Sequence, residues 1–199
     1  MHRRSLSLFA LFLLISATPL FASQFIELSF DQVAREATYV VRGNVMNTWT
    51  AWDDAHETIY TYATLRVTRY FGEAAGPDTL VVREVGGQVD GYVQQAIGFP
   101  TIRDGEQVVL FLSKWDDSND FRIHAYNQGK YLVRTRFRDG VEILVSDPER
   151  QGEQRQTPIN RFQPKADAVS DEIGLTMDEF SEMVEGARAG GISIMRQRQ

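Results

Sequence analysis

The chain has 199 residues, 43% of them hydrophobic and 24% charged, with 15 Gly and 6 Pro; disordered, collagenous and low-complexity classes are thereby excluded. It contains no Cys, which removes disulfide scaffolds, Cys-ligated zinc, iron–sulfur clusters and thiol nucleophiles. A net charge of −6 at pH 7 is the wrong sign for neutralising phosphates and argues against nucleic-acid binding.

Residues 1–22 carry an export address. Met1-His2-Arg3-Arg4 is positive, Leu6 to Ile15 is almost wholly apolar, and Pro19-Leu20-Phe21-Ala22 supplies a break and a small residue. That order predicts a signal peptide cleaved after Ala22. Ser16, Thr18 and Pro19 interrupt the apolar run short of the ~18–20 residues a spanning helix needs. No Cys follows to carry a lipid. The expectation is a secreted or periplasmic protein without a stable membrane anchor. Cleavage removes Arg3 and Arg4 but no acid, so the mature chain is still more acidic.

Ser29 and Gln32 form a capping-box pattern, and Val33, Ala34 and Ala37 recur at helical spacing, which predicts a short helix over 30–37. A β-rich stretch at 39–45 has Gly43 as a candidate bulge. The polar tip Trp52-Asp53-Asp54-Ala55-His56-Glu57 leads into the clearest strand, 59–71. There Ile59, Ala63, Leu65 and Val67 share one face, and Tyr60, Tyr62, Arg66 and Thr68 the other. A strand at 79–85 precedes a glycine-bearing stretch from Gly86 to Pro100 that has no clean period.

The continuous apolar run 107–112 predicts a strand buried on both faces. A second acidic tip, Trp115-Asp116-Asp117-Ser118-Asn119-Asp120, leads to an alternating strand at 121–126. Stretches 130–136 and 141–145 flank Asp139-Gly140, a hairpin signal. Residues 147–170 are polar with Pro148, Pro158 and Pro164, and read as a linker. Thr176 and Glu179 form a second capping box, before an apolar stripe of Phe180, Met183, Val184 and Ala187. Many short strands with turn signals predict a mainly β fold. The expected form is an OB-like five-stranded Greek-key barrel with an added β-hairpin, a short N-terminal helix and a C-terminal helix. Its divisions are signal peptide 1–22, barrel 23–146, linker 147–170, and helix with tail 171–199.

Chemistry-bearing motifs are few. His56 lies among Asp53, Asp54 and Glu57, but no second His cluster supports a metal there. His124 alternates with Arg122 and Tyr126 and reads as the outer face of a strand. Neither G-x-S-x-G nor H-E-x-x-H occurs, so no catalytic residue, metal or cofactor is assigned and an enzyme is not expected. In a Greek-key barrel the two acidic tips would flank the usual ligand face. Trp52, Asp53, Asp54, Trp115, Asp116 and Asp117 are therefore candidate ligands for calcium or a sugar, although the spacing matches no EF-hand. Tyr60 and Tyr62 share an outer face suited to protein contact.

The block from Phe30 to Tyr126 resembles the netrin-type domain of the tissue inhibitors of metalloproteinases. Asp31 to Val45 repeats that family's helix-into-strand pattern, Tyr70-Phe71-Gly72 its aromatic–Gly loop, and Gly105-Glu106 followed by Gln107 to Leu112 its Gly-Glu-led apolar strand. The stretch is also similar to uncharacterised secreted bacterial proteins with the same Gly-Gly, Gly-Phe-Pro and Gly-Glu landmarks. The resemblance implies an OB-type barrel that binds proteins. In the animal inhibitors the mature N-terminus enters the protease cleft and its α-amino group ligates the catalytic zinc. The equivalent here would be Ser23, Gln24 and Phe25, with the crossover residues Gly87, Gln88, Val89, Asp90 and Tyr92 completing the wedge. The N-terminal Cys residues that pin that wedge in the family are absent. Three functions stay open on the sequence. They are a secreted protein-binding module that inhibits a metalloprotease or binds another protein, a glycan- or small-ligand-binding envelope domain, and a structural envelope protein.

Overall fold

The computed structural model describes residues 27–72, 75–147 and 174–190. The expected signal peptide, Ser23 to Phe25 and nearly all of the expected linker lie outside them. Helix α1 (Phe30–Glu36) opens the fold with its full capping box: Ser29 accepts from the Gln32 N–H and Gln32 accepts from the Ser29 N–H. Strand β1 (Tyr39–Trp52) pairs antiparallel with both β2 (Ile59–Tyr70) and β6 (Gln107–Lys114). It runs longer than the expected 39–45, continuing to the acidic tip. β2 pairs with β3 (Thr79–Val85), β3 runs parallel to β7 (Phe121–Ile123), and β7 returns to β6. The result is a closed five-stranded barrel. Counted along the barrel strands alone its order is the OB-type one, first–second–third–fifth–fourth.

Closure bends β1. Its register with β2 slips between Arg42 and Gly43 and again between Val45 and Asn47, each slip adding local twist. Gly43 permits the first, because a Cβ there would stand 2.7 Å from the Arg66 carbonyl oxygen.

Strand β6 explains its unbroken apolar sequence. Val108, Leu110 and Leu112 enter the barrel interior with Val41, Leu65, Val82 and Ile123. Val109 and Phe111 point the other way, into a second core with Val33, Phe71, Val133, Leu144, Phe180 and Val184. Helix α2 (Met177–Arg188), capped by Thr176 and Glu179, contributes Phe180, Val184 and Ala187 to that layer. Phe180 meets Phe30, Phe71 and Phe111 edge-on at 5.7, 5.1 and 5.8 Å. The C-terminal helix therefore docks on the barrel, as its stripe predicts.

Beyond the barrel, β8 (Lys130–Thr135) and β9 (Glu142–Ser146) form the hairpin expected at Asp139-Gly140, and β10 (Leu175–Thr176) pairs with β9. Two expectations need correction. Asp147 does not begin a solvated linker. It is 2% exposed and meets the fully buried Lys130 at 2.9 Å, as does Glu106. Strand β7 stops at Ile123 rather than reaching 126, because Ala125 and Tyr126 take positive φ and start a 3-10 turn, Tyr126–Gly129.

Candidate functional site

Strand alternation sorts the ends of β1, β2 and β3 into two faces. Trp49 pairs across with Tyr62, Ala51 with Tyr60, and Tyr62 with Arg83, so these residues project outward together. The Trp49 and Tyr62 rings stack at 5.3 Å with 9° between their planes. Tyr60 follows at 6.4 Å from Tyr62, and Trp115 stands edge-on to Tyr60 at 6.0 Å. Arg83 lies against the row, its guanidinium carbon 4.9 Å from the centre of Tyr60 and 4.5 Å from that of Trp115. Arg122 caps Trp115 at 5.2 Å.

Hydrogen bonds fix this row. The Trp115 indole Nε1 donates to the Arg83 carbonyl at 3.0 Å, and Arg83 donates to the Asp117 carboxylate at 2.5 Å. Arg83 is almost buried, whereas the side chain of Asp117 stays largely in solvent. Burial opposes the Arg83 charge, but Asp117 outweighs it and the guanidinium pKa is held above its ordinary value. Trp49 keeps 41% of its surface exposed. The product is a rigid aromatic and cationic ridge with an open edge.

The opposite, inward-leading face of the same ribbon carries the crossover. Gly87–Val89 (β4) and Tyr92–Gln94 (β5) form a hairpin through Asp90 and Gly91, both at positive φ. Asp90-Gly91 is the same turn signal as at 139–140, set in a stretch whose lack of period predicts only an irregular crossover. The hairpin is tied to the barrel by Thr50 donating to the Gln88 carbonyl, Thr61 to the Gly86 carbonyl, and the Ile59 N–H to the Gln94 side chain. Gly87 is required at this seam, since a Cβ would meet Thr50 and Thr61 at 2.7 and 2.8 Å. Gly87, Gln88, Val89, Asp90 and Tyr92 are thus brought together as one projecting element. Tyr92, Val93 and Ile97 stand exposed on it and beside it.

The two acidic tips do not converge. Trp52 contacts His56 and Tyr92 on the hairpin side, whereas Trp115 joins Tyr60 and Arg83 on the outward side. Asp53 turns back on its own loop, accepting from the Glu57 and Thr58 N–H groups; these bonds hold its pKa below the ordinary value. Asp117 is committed to Arg83. Asp54 and Asp116 are exposed. Among the described residues no three His, Asp or Glu side chains stand close enough to hold a metal. The two tips therefore do not form the single calcium or sugar site expected of them, because the Trp52 ring lies on the hairpin face of the ribbon and the Trp115 ring packs against the outward face.

His124 also moves from its expected place. Past the end of β7 it is half-buried, with Nδ1 2.8 Å from the Ser113 hydroxyl and Nε2 3.4 Å from Glu36 of α1. Burial lowers its pKa, against the pull of Glu36. The trio spans the seam between helix and barrel. The described chain begins close by: the Leu28 N–H donates to Gln128, and Leu28 shares a small cleft with Phe99, Trp115 and Tyr126.

No helix among the described residues is long and apolar enough to cross a membrane. No family model matches the sequence, and no curated protein matches it.

Proposed function

We propose that the chain is a non-enzymatic protein-binding module whose contact surface is the outward ridge of Trp49, Tyr62, Tyr60, Arg83 and Trp115. One observation carries the reading: Trp, Tyr and Arg side chains are held in ring-to-ring and guanidinium-to-ring contact before any partner arrives. These three residue types dominate the energetics of protein interfaces, and groups already ordered lose little entropy on binding. The acidic balance supports a protein partner over a nucleic acid.

The test compares immobilised protein with the double variant Trp49→Ala/Tyr62→Ala, using the protein fraction exported by the same cells. Proteins retained by the first and released by the second, then shown to bind when purified, support the reading. Equal retention by both variants overturns it.

A second reading names the partner as a secreted metalloprotease. It is supported by Leu28, near the start of the fold, which shares a cleft with Phe99 of the Gly86–Pro100 crossover. Ser23, Gln24 and Phe25 would precede that start. Inhibition of a purified matrixin-type protease at micromolar protein, lost when one residue is added before Ser23, supports it. Full protease activity with a correctly cut terminus excludes it.

A further inference from the structure

Strand β3 sends Leu80, Val82 and Glu84 into the barrel, the first two into the core and the third to its mouth. Glu84 is 3% exposed and stands across from Thr61. Its Oε1 accepts from the Ile123 N–H, and its other oxygen has no hydrogen-bond partner among the described residues. The carboxyl lines two adjoining clefts. The larger, about 410 Å³, is walled by Thr61, Gly86, Gln94, Phe99, Thr101 and Asn127 among others. The smaller, about 270 Å³, lies beyond Val85 and Phe99.

A carboxylate taken from water without a counter-ion is unfavourable. Burial pushes the Glu84 pKa up to about 8, against the opposing pull of the Ile123 N–H and of Arg122. The charged and titratable groups around it are few. Arg122, His124 and Tyr126 line the smaller cleft, where Arg122 covers Trp115 and His124 is turned to Ser113 and Glu36. Lys130 reaches the Thr101 carbonyl but is already matched by Glu106 and Asp147. Among the described residues the larger cleft has no titratable wall besides Glu84; its other walls are hydroxyl, amide, glycine and apolar.

We propose that the larger cleft is a subsite for a guanidinium or alkylammonium group, presented as an Arg or Lys side chain of the protein partner, with Glu84 as its counter-ion on the cleft floor. A neutral ligand would satisfy the wall amides and leave the carboxyl as it is. A cation supplies the missing counter-charge, and the chain's net charge of −6 attracts it. On entry the Glu84 proton passes to solvent and the carboxylate pairs with the incoming group. The inference rests on the protein-binding reading only for the source of the cation.

The test is calorimetric titration of the purified protein with propylguanidine, with acetyl-Gly-Arg-Gly-amide, and with the citrulline peptide as the neutral match. Both cations should bind, the citrulline peptide at least tenfold more weakly. Affinity should rise about tenfold per pH unit up to about pH 8 and then level, because only the ionised carboxyl is competent. Close to one proton per cation should be released at pH 6.5, read from buffers of different ionisation heat. Glu84→Gln, which keeps an acceptor for the Ile123 N–H, should bind at least tenfold more weakly with no pH dependence. Proton release by the unaltered protein tests the site even if that variant does not fold. Equal binding of the Arg and citrulline peptides, a flat pH profile, or no binding at millimolar propylguanidine overturns the site. Binding of propylguanidine with proton release but not of the Arg peptide keeps the cation site and overturns a protein side chain as its source; the ridge experiment is decided separately.

Discussion

Residues one step apart on β3 meet opposite fates. Arg83 points outward and is buried between two rings with Asp117 beside it. Glu84 points inward and is buried with a single backbone N–H on one oxygen. Burial penalises both charges, yet the Arg83 pKa is raised, which favours its charged form, while that of Glu84 is pushed to about 8, which favours its neutral one. What separates them is the partner. A guanidinium with a carboxylate and two ring faces is a finished contact, whereas a lone acid at a cleft leaves room for one.

The largest expected effect strikes the inward side. The folded pKa of Glu84 lies above its unfolded value of about 4.3, so the native state holds a proton that the unfolded chain has already released. Stability should therefore fall as pH rises from about 5 to about 8, by on the order of 4 kcal/mol. Glu84→Gln should flatten that slope, as read from urea unfolding across the range. His124, whose pKa burial lowers, gives a smaller slope of opposite sign around its ordinary value, and the difference between the two proteins cancels it. If both proteins lose stability equally, the contrast with Arg83 disappears.

A smaller effect is expected on the outward side. Arg83→Lys keeps the positive charge but loses the planar face that lies on Tyr60 and Trp115. Unfolding should show a loss of about 1–2 kcal/mol, and Trp115 fluorescence should shift as its indole loosens. A loss-free Arg83→Lys would mean that charge alone holds the ridge. The smallest effect on stability is expected for Trp49→Ala, below about 1 kcal/mol, since the ring is partly in solvent. The same change should sharply reduce partner retention, and that separation of stability from binding marks a contact surface.

The sequence conveyed most of the frame because its signals are local. Both capping boxes, the Gly43 irregularity, the Asp139-Gly140 hairpin and the two-faced β6 each depend on spacing within a few residues. Tyr60 and Tyr62 were legible as an outward pair for the same reason. The rest of the ridge was not. Trp49 and Arg83 join it only through strand register, and Trp115 reaches it only because β7 closes the barrel beside β3. Glu84 did leave a trace, an acid in step with Leu80 and Val82 on the buried face of a strand. Its isolation from a counter-ion becomes visible only once the crossover covers the mouth. The buried pairing of Asp147 with Lys130 is hidden likewise, since a polar run rich in Pro reads as solvated until Lys130 of β8 meets its first residue.

The barrel mouth holds an acid that makes no ion pair among the described residues, and its protonation is open to direct measurement. Carbon-detected NMR of the side-chain carboxyl of Glu84, assigned against Glu84→Gln, reports its protonation residue by residue. A midpoint near 8 that falls when propylguanidine is added is the predicted result. A midpoint near that of an ordinary solvated glutamate, unmoved by the cation, contradicts the account.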